Sequence, residues 1–370
     1  MQYVGLDVHA RRSSLCILDS DGKTVNRLEV NGPWPKLIEQ VERSVPRPFA
    51  VCYEASLGYG HLHERLAGRA QRVVVAHPGH LRLIFRDKRK NDRVDAAKLA
   101  KLLYLDMVPR VHVPAHEVRQ WRSLIEFRQR LIEKRVAVKN ALRAILRSCG
   151  VAHEAPRGKG LWTNKGVAWL KALELDEVEA LRREMLLDDL ERHTTRIHQV
   201  ERALDKIAAK HPAVALLRTI PGVGPRTAEA FVAYVDDVRR FARVRQVGAY
   251  FGLVPCQDRS ADVNRLGHIT RDGPATVRRL LCEAAWQAVR RSATVRAFFQ
   301  RVMRSDPQRK KIALVATAHY LARVMAAMLK SGEIWHADAN ANANANANAN
   351  ANANADVAAA ASPLRKTPDT

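Results

Sequence analysis

Hydrophobic and polar positions alternate in short blocks over the first hundred residues. Tyr3-Val4-Gly5-Leu6-Asp7-Val8 is a brief apolar run that closes on a carboxylate. Ser13 to Leu18 and Thr24 to Val30 are two further strand-like runs, separated by the turn signal Asp19-Ser20-Asp21-Gly22-Lys23. From Pro33 to Ser44 the spacing becomes helical, with Trp34, Leu37, Ile38 and Val41 on one stripe. Phe49 to Glu54 predicts a fourth strand that again ends on a carboxylate. A helix around His61 to Leu66, a buried-type strand Arg72 to Ala76 and a helix Asn91 to Leu105 follow. The order β-β-β-α-β-α-β-α predicts a mixed sheet, three antiparallel strands continued by βαβ crossovers, with helices packed on it.

The pattern then lengthens. Glu117 to Ser148 predicts one long basic helix, with Trp121, Leu124, Ile125, Leu131, Ile132, Leu142 and Ile145 at three- and four-residue steps. Asp176 to Lys210 predicts a second, carrying Leu186, Leu190, Ile197, Val200, Leu204 and Ile207 at similar spacing, and the stretch 150–166 connects the two. Such a pair suggests an antiparallel coiled coil, either a dimerisation arm or an intramolecular helical hairpin. From Pro212 to about Gly332 the chain predicts a mainly helical globular region. Asp338 to Asp356 alternates Ala and Asn, offers no surface to pack, and predicts disorder. The domain boundaries that follow are 1–110, 111–211, 212–332 and a low-complexity tail 333–370.

Composition adds a partner to this picture. Lys and Arg number 62 against 38 Asp and Glu, a formal charge of +24 over 370 residues. An excess of that size, spread along the chain and dominated by Arg, suits a polyanion, because each cation that neutralises a phosphate releases a counterion. Cys16, Cys52, Cys149, Cys256 and Cys282 show no CxxC spacing, which disfavours a zinc site and predicts reduced thiols. No window approaches 18 uninterrupted apolar residues, and the N-terminus MQYVGLDVHARR reads as a strand rather than a signal peptide, so a cytoplasmic location without a membrane partner is expected.

Against so basic a background, the placement of four acids is informative. Asp7 and Glu54 end predicted strands, the edge at which α/β sheets form sites. Asp92 and Asp95 lie three apart at the start of a helix and share a face. Four converging carboxylates would repel unless cations neutralise them, and hard oxygen ligands suit Mg²⁺ or Mn²⁺. Taken singly, each has an ordinary alternative: a strand-end turn for Asp7, a helix-start charge for Asp92, a partner for Lys98 in the case of Asp95. Together with the topology they resemble the RNase H-like (RuvC-type) nuclease fold, whose first-strand Asp, fourth-strand Glu and late-helix Asp pair hold two metal ions.

Two later segments carry further candidates. Leu217-Arg218-Thr219-Ile220-Pro221-Gly222-Val223-Gly224-Pro225-Arg226-Thr227-Ala228 resembles a helix-hairpin-helix element, in which Gly222 and Gly224 would let the backbone approach a phosphate, with Arg226 and Thr227 at the next helix start. A Gly/Pro turn between packed helices is the plain alternative. Downstream, Arg265, His268 and Arg271 surround a loop holding a lone serine, Ser260. A serine hydroxyl is a poor nucleophile unless cations stand beside it, and a surface-loop serine is the usual outcome.

GLDVHA with Asp7, CYEASLGYG with Glu54, KNDRVDAAKLA with Asp92 and Asp95, IPGVGPRTA, and GLVPCQDRSADVNRLGHITRDG occur in an order and at a spacing that together resemble one family. These are the insertion-sequence transposases with an N-terminal DEDD, RuvC-like domain and a C-terminal transposase domain, related to the Piv-type DNA invertases. The resemblance spans roughly residues 1 to 330. It implies a magnesium-binding quartet, Ser260 as the nucleophile of a covalent phosphoserine–DNA intermediate, multimeric action, and for some members a guide RNA encoded beside the gene. The chain departs from the usual Ser-Ser-Gly or Gln-Ser-Gly loop with Arg259-Ser260-Ala261-Asp262. Two other readings stay open at this point: a junction-resolving nuclease in which water attacks, and a nucleic-acid-binding protein without catalysis.

Overall fold

Five strands form the first sheet: β1 (Gln2–Val8), β2 (Arg12–Leu18), β3 (Thr24–Asn31), β4 (Phe49–Glu54) and β5 (Arg72–Ala76), in the order β3-β2-β1-β4-β5. The first three pair antiparallel, and β4 joins β1 and β5 in parallel. This computed structural model describes residues 1–84, 92–260 and 263–337, with the backbone alone for 92, 93, 258–260 and 263–266; the Ala-Asn tail expected to be disordered lies outside the described residues. The chain divides into two compact units, the first ending at Arg119 and the second beginning at Gln120.

Alternation along β1 assigns the two faces of the sheet. Val4 and Leu6 point into a core shared with Leu37, Ile38 and Val41 of α1 (Trp34–Ser44) and with Leu62 and Leu66 of α2 (Tyr59–Ala67). Tyr3, Gly5 and Asp7 take the opposite face, which α4 (Asp92–Tyr104) covers. On that face Ala50 and Cys52 of β4 pack with Leu99, Leu102 and Leu103, and burial pushes the Cys52 thiol up to about 12. The expected mixed sheet with helices against it is therefore present. A short helix, α3 (Pro78–Ile84), is additional; only Leu81 of it is buried, so its apolar signal is weak.

α5 (His116–Ser148), which belongs to the second unit from Gln120 on, and α7 (Glu177–Ala208) are the two long helices, and the Arg128 guanidinium donates to Glu201 at 2.5 and 2.8 Å to tie them together. Their far ends close on a small core in which Val138, Leu142 and Leu146 meet Leu187 and Leu190. Leu161 and Leu170, from a 3-10 turn Gly160–Trp162 and α6 (Asn164–Ala172), fill that core from a third side. The stretch 150–166, expected to connect the two long helices, thus contributes Leu161 to the packing.

The remaining helices are α8 (Pro212–Leu217), α9 (Pro225–Val235), α10 (Arg245–Tyr250), α11 (Ala275–Arg291), α12 (Ala293–Met303) and α13 (Lys310–Ser331). They bury Phe231, Phe251, Leu281, Leu321 and Met325 in one cluster. Among the described helices α13 alone is long and apolar enough to cross a membrane, and its apolar residues are largely spent on this core. A two-stranded ribbon, β6 (Pro255–Ser260) and β7 (Val263–Ile269), stands within the region expected to be mainly helical.

Candidate active site

Asp7 and Glu54 each stand one step past the paired residues Leu6 and Tyr53, at the carboxyl ends of neighbouring parallel strands and on the α4 face. The helix reaches them because β1 carries glycine where the two cross. A Cβ on Gly5 would come within 2.1 Å of the Ala96 carbonyl oxygen and 2.4 Å of the Ala100 nitrogen. Tyr3 meets Tyr104 edge-on, with ring centroids 5.3 Å apart. Tyr3 against Tyr104 and Gly5 against Ala100 and Ala96 mean that α4 runs opposite to β1. Its first turn, with Asp92 and Asp95, therefore heads toward Asp7.

The side chains at this edge are partly solvated. Asp7 is 19% exposed and its Oδ2 lies 3.4 Å from the His9 Nε2. Glu54 is exposed. Asp95 has Lys98 Nζ at 3.6 Å from Oδ1, the pairing its spacing allowed for. Among the described residues no three His, Cys, Asp or Glu side chains stand within reach of one ion, and the Asp92 side chain lies outside the described residues. The donor set itself is chemically suited to a hard divalent cation: carboxylate oxygens from two strand ends and a helix start, with no thiolate.

One organiser of this edge was missed in the sequence. The Trp34 indole N–H donates to the His9 carbonyl at 3.2 Å, and its ring lies against Gly58, where a Cβ would come within 2.5 Å. Gly58 adopts φ +83°, a conformation glycine takes without strain. Trp34 thereby braces the loops that follow both carboxylate-bearing strands. Tyr53 adds a second brace, its hydroxyl donating to the Tyr59 carbonyl at 2.7 Å. Neither was legible beforehand, because Trp34 scans as an ordinary stripe residue of α1.

In the second unit, Gly222 and Gly224, the glycines of the expected helix-hairpin-helix element, differ in their surroundings. Gly222 has φ +98°, and a Cβ there would come within 2.4 Å of the Ala288 nitrogen, so its close approach is to α11. Nothing lies within 4 Å of a Cβ built on Gly224, which caps α9. Arg226 is paired with Asp205 and, at 3.1 Å, with Glu229. Thr227 is buried, 3.5 Å from the Leu280 carbonyl.

Ser260 is the last residue of β6 and pairs with Val263, so it marks the far end of the ribbon, where a loop was expected. Its side chain and that of Arg265 lie outside the described residues. His268 on β7 and Arg271 beyond it are exposed, Arg271 with φ +59°. The base of the ribbon is clamped by two glycines: a Cβ on Gly252 would meet the Asp272 nitrogen at 2.4 Å, and one on Gly273 the Tyr250 carbonyl at 2.1 Å. Arg278 donates across the same crossing to the carbonyls of Phe251 (3.0 Å) and Asp272 (2.8 Å).

Comparison with known proteins covers both units. Residues 4–150 match the IS110-type DEDD transposase family, and residues 214–300 match the transposase IS116/IS110/IS902 family. The transposase for insertion sequence element IS1111A of Coxiella burnetii is 26% identical over 288 residues, 77% of each chain. A probable family 20 transposase of Pseudomonas aeruginosa is 29% identical over 245 residues, 65% of this chain and 72% of the relative. The transposase for insertion sequence element IS1328 of Yersinia enterocolitica is 26% identical over 249 residues, 64% of this chain and 70% of the relative. With both family domains present and in order, the chain belongs to the IS110/IS116 family of insertion-sequence transposases.

Proposed function

We propose that this chain cuts and rejoins DNA for an insertion-sequence element, using an RNase H-like carboxylate site and a serine nucleophile. The observation that supports the reading is that Asp7 and Glu54 end adjacent parallel strands on the face covered by α4, whose first turn heads toward Asp7. Asp7, Glu54, Asp92 and Asp95 would hold Mg²⁺ or Mn²⁺. Such ions, when bound, polarise the scissile phosphate and offset the charge that develops on its oxygens.

The chain's own residues do the rest. Ser260 Oγ attacks the phosphorus, its proton leaves to solvent, and the bond from phosphorus to one bridging sugar oxygen breaks. That oxygen takes up a proton and departs as a hydroxyl. The phosphoserine ester keeps the energy of the broken linkage, so a second DNA hydroxyl can attack it, release Ser260 and reseal the strand. Arg265, His268 and Arg271, on and beside the ribbon strand facing Ser260, would bind phosphates near it. Gly224 at the open start of α9, with Gly222, Arg226 and Thr227 shaping the turn, would hold the duplex backbone. Family membership further suggests a structured guide RNA and additional copies of the chain as partners, the α5–α7 hairpin serving as a coiled-coil arm, and action in the cytoplasm.

A plasmid excision assay with trapping of protein-linked DNA tests this. Asp7→Asn should abolish Mg²⁺-dependent strand breakage while DNA binding persists; undiminished breakage overturns the carboxylate site. Ser260→Ala should give no covalent product and no recombinant. If it recombines normally, Ser260 is not the nucleophile; if it only nicks, water attacks and the chain is a nuclease.

A further inference from the structure

Along α5, Arg135, Lys139, Arg143 and Arg147 recur every fourth residue, one cation per helical turn on a single face. Like charges at this spacing destabilise a helix. No carboxylate pairs with any of the four among the described residues; Arg143 donates only to the Asn140 side chain, at 3.2 Å. The crowding shows in Lys139, whose ammonium is driven below its ordinary range by burial and then by Arg135 and Arg143. Trp162 holds the middle of the row in place: Lys139 Nζ sits 4.8 Å and the Arg143 guanidinium 5.0 Å from its ring centre.

Cavities open beside the row at two places. One of about 870 Å³ is lined by Arg135, Lys139, Trp162, Lys171 and Arg183. Arg183 is 8% exposed, and although it donates to the Leu173 carbonyl, its Nε–H is buried without an acceptor. A buried guanidinium N–H without an acceptor is costly. The acids of that cavity are Glu184, Asp188 and Glu191 of α7: Asp188 is bonded to Arg192 at 2.8 Å, Glu184 lies 3.7 Å from Arg183, and Glu191 is exposed. The other, about 500 Å³, has Arg143, Arg147, His153 and Arg157 in its wall.

We infer that the distal end of the α5–α7 hairpin is a second nucleic-acid site, where the cation row of α5 grips a phosphodiester backbone. Four residues of helix rise about 6 Å, on the scale of the step between successive phosphates of one strand. A small anion would use one such cation; a repeating polyanion uses the row. The inference rests on the reading that the chain handles nucleic acid, and it adds a contact remote in sequence from the ribbon and the α8–α9 turn.

The test is equilibrium binding of the full-length protein to a duplex DNA and to a stem-loop RNA over a range of salt, with Arg143→Gln/Arg147→Gln. Affinity for at least one probe should fall roughly tenfold, and the slope of log affinity against log salt should shrink by about two, one per lost phosphate contact. The probe that responds identifies whether DNA or RNA occupies the site. Arg143→Lys/Arg147→Lys should stay within about twofold of wild type. Arg147→Gln alone, at an exposed position where folding is not at stake, should reduce the slope by about one. Unchanged affinity and slope on both probes overturn the inference, as does a Lys pair that fails as badly as the Gln pair. Wild-type protein that binds neither probe overturns instead the functional reading on which it rests.

Discussion

Gly5 on β1 touches Ala96 on α4 backbone to backbone, with no room for a methyl group between them. That contact sets how close the helix start carrying Asp92 and Asp95 comes to Asp7. Gly5→Ala should push α4 off the sheet, cost about 1–3 kcal/mol of stability, and cut metal-dependent strand breakage far more than DNA binding. Thermal melting and a cleavage assay on the same preparation check it. A variant as active as wild type would show that the helix spacing is irrelevant to the site.

Trp34 joins the loops after β1 and β4 through the His9 carbonyl and the surface of Gly58. Trp34→Ala should lower stability by about 1–3 kcal/mol and raise the Mg²⁺ concentration needed for half-maximal cleavage. Trp34→Phe should recover the packing but not the hydrogen bond, and fall between the two. Metal titrations of cleavage rate resolve the order.

Arg278 and the crossed glycines Gly252 and Gly273 anchor the ribbon whose far end is Ser260. Arg278→Ala leaves two carbonyls without their donor, at a cost of about 1–3 kcal/mol. The covalent step should slow by at least tenfold, with DNA affinity little changed. Rapid-quench trapping of protein-linked DNA measures the first, and equilibrium binding the second.

Glu229 is 1% exposed, and its carboxyl is raised to about 7, chiefly by burial, with Arg226 and Arg128 pulling the other way. A carboxyl whose folded value is raised favours its protonated form in the native state. Its contribution is therefore fully present below the ordinary value of 4.5 and is lost as pH rises through about 7. Wild-type protein should lose stability between pH 5 and 8.5, by up to about 3 kcal/mol. Glu229→Gln should give a flatter profile. Equal profiles for both proteins by thermal melting would remove Glu229 as the source.

Much of the architecture was written in local pattern. The alternation of Tyr3-Val4-Gly5-Leu6-Asp7 and the helical stripe of Leu37, Ile38 and Val41 are short-range signals that burial enforces, so the mixed sheet and its helices followed from them. The motif order around Asp7, Glu54, Asp92 and Asp95 likewise pointed to the family that both domain matches identify. Other features depend on residues that meet only after folding. Ser260 ends a strand because β6 finds β7 as a partner, a cross-strand pairing that no single segment encodes. Gly222 turned out to face Ala288, Trp34 to brace two loops, and Leu161 and Leu170 to complete the hairpin tip. Periodicity reports which face of an element is buried; it carries no information about what that face is buried against, and that is where these side chains acquire their roles.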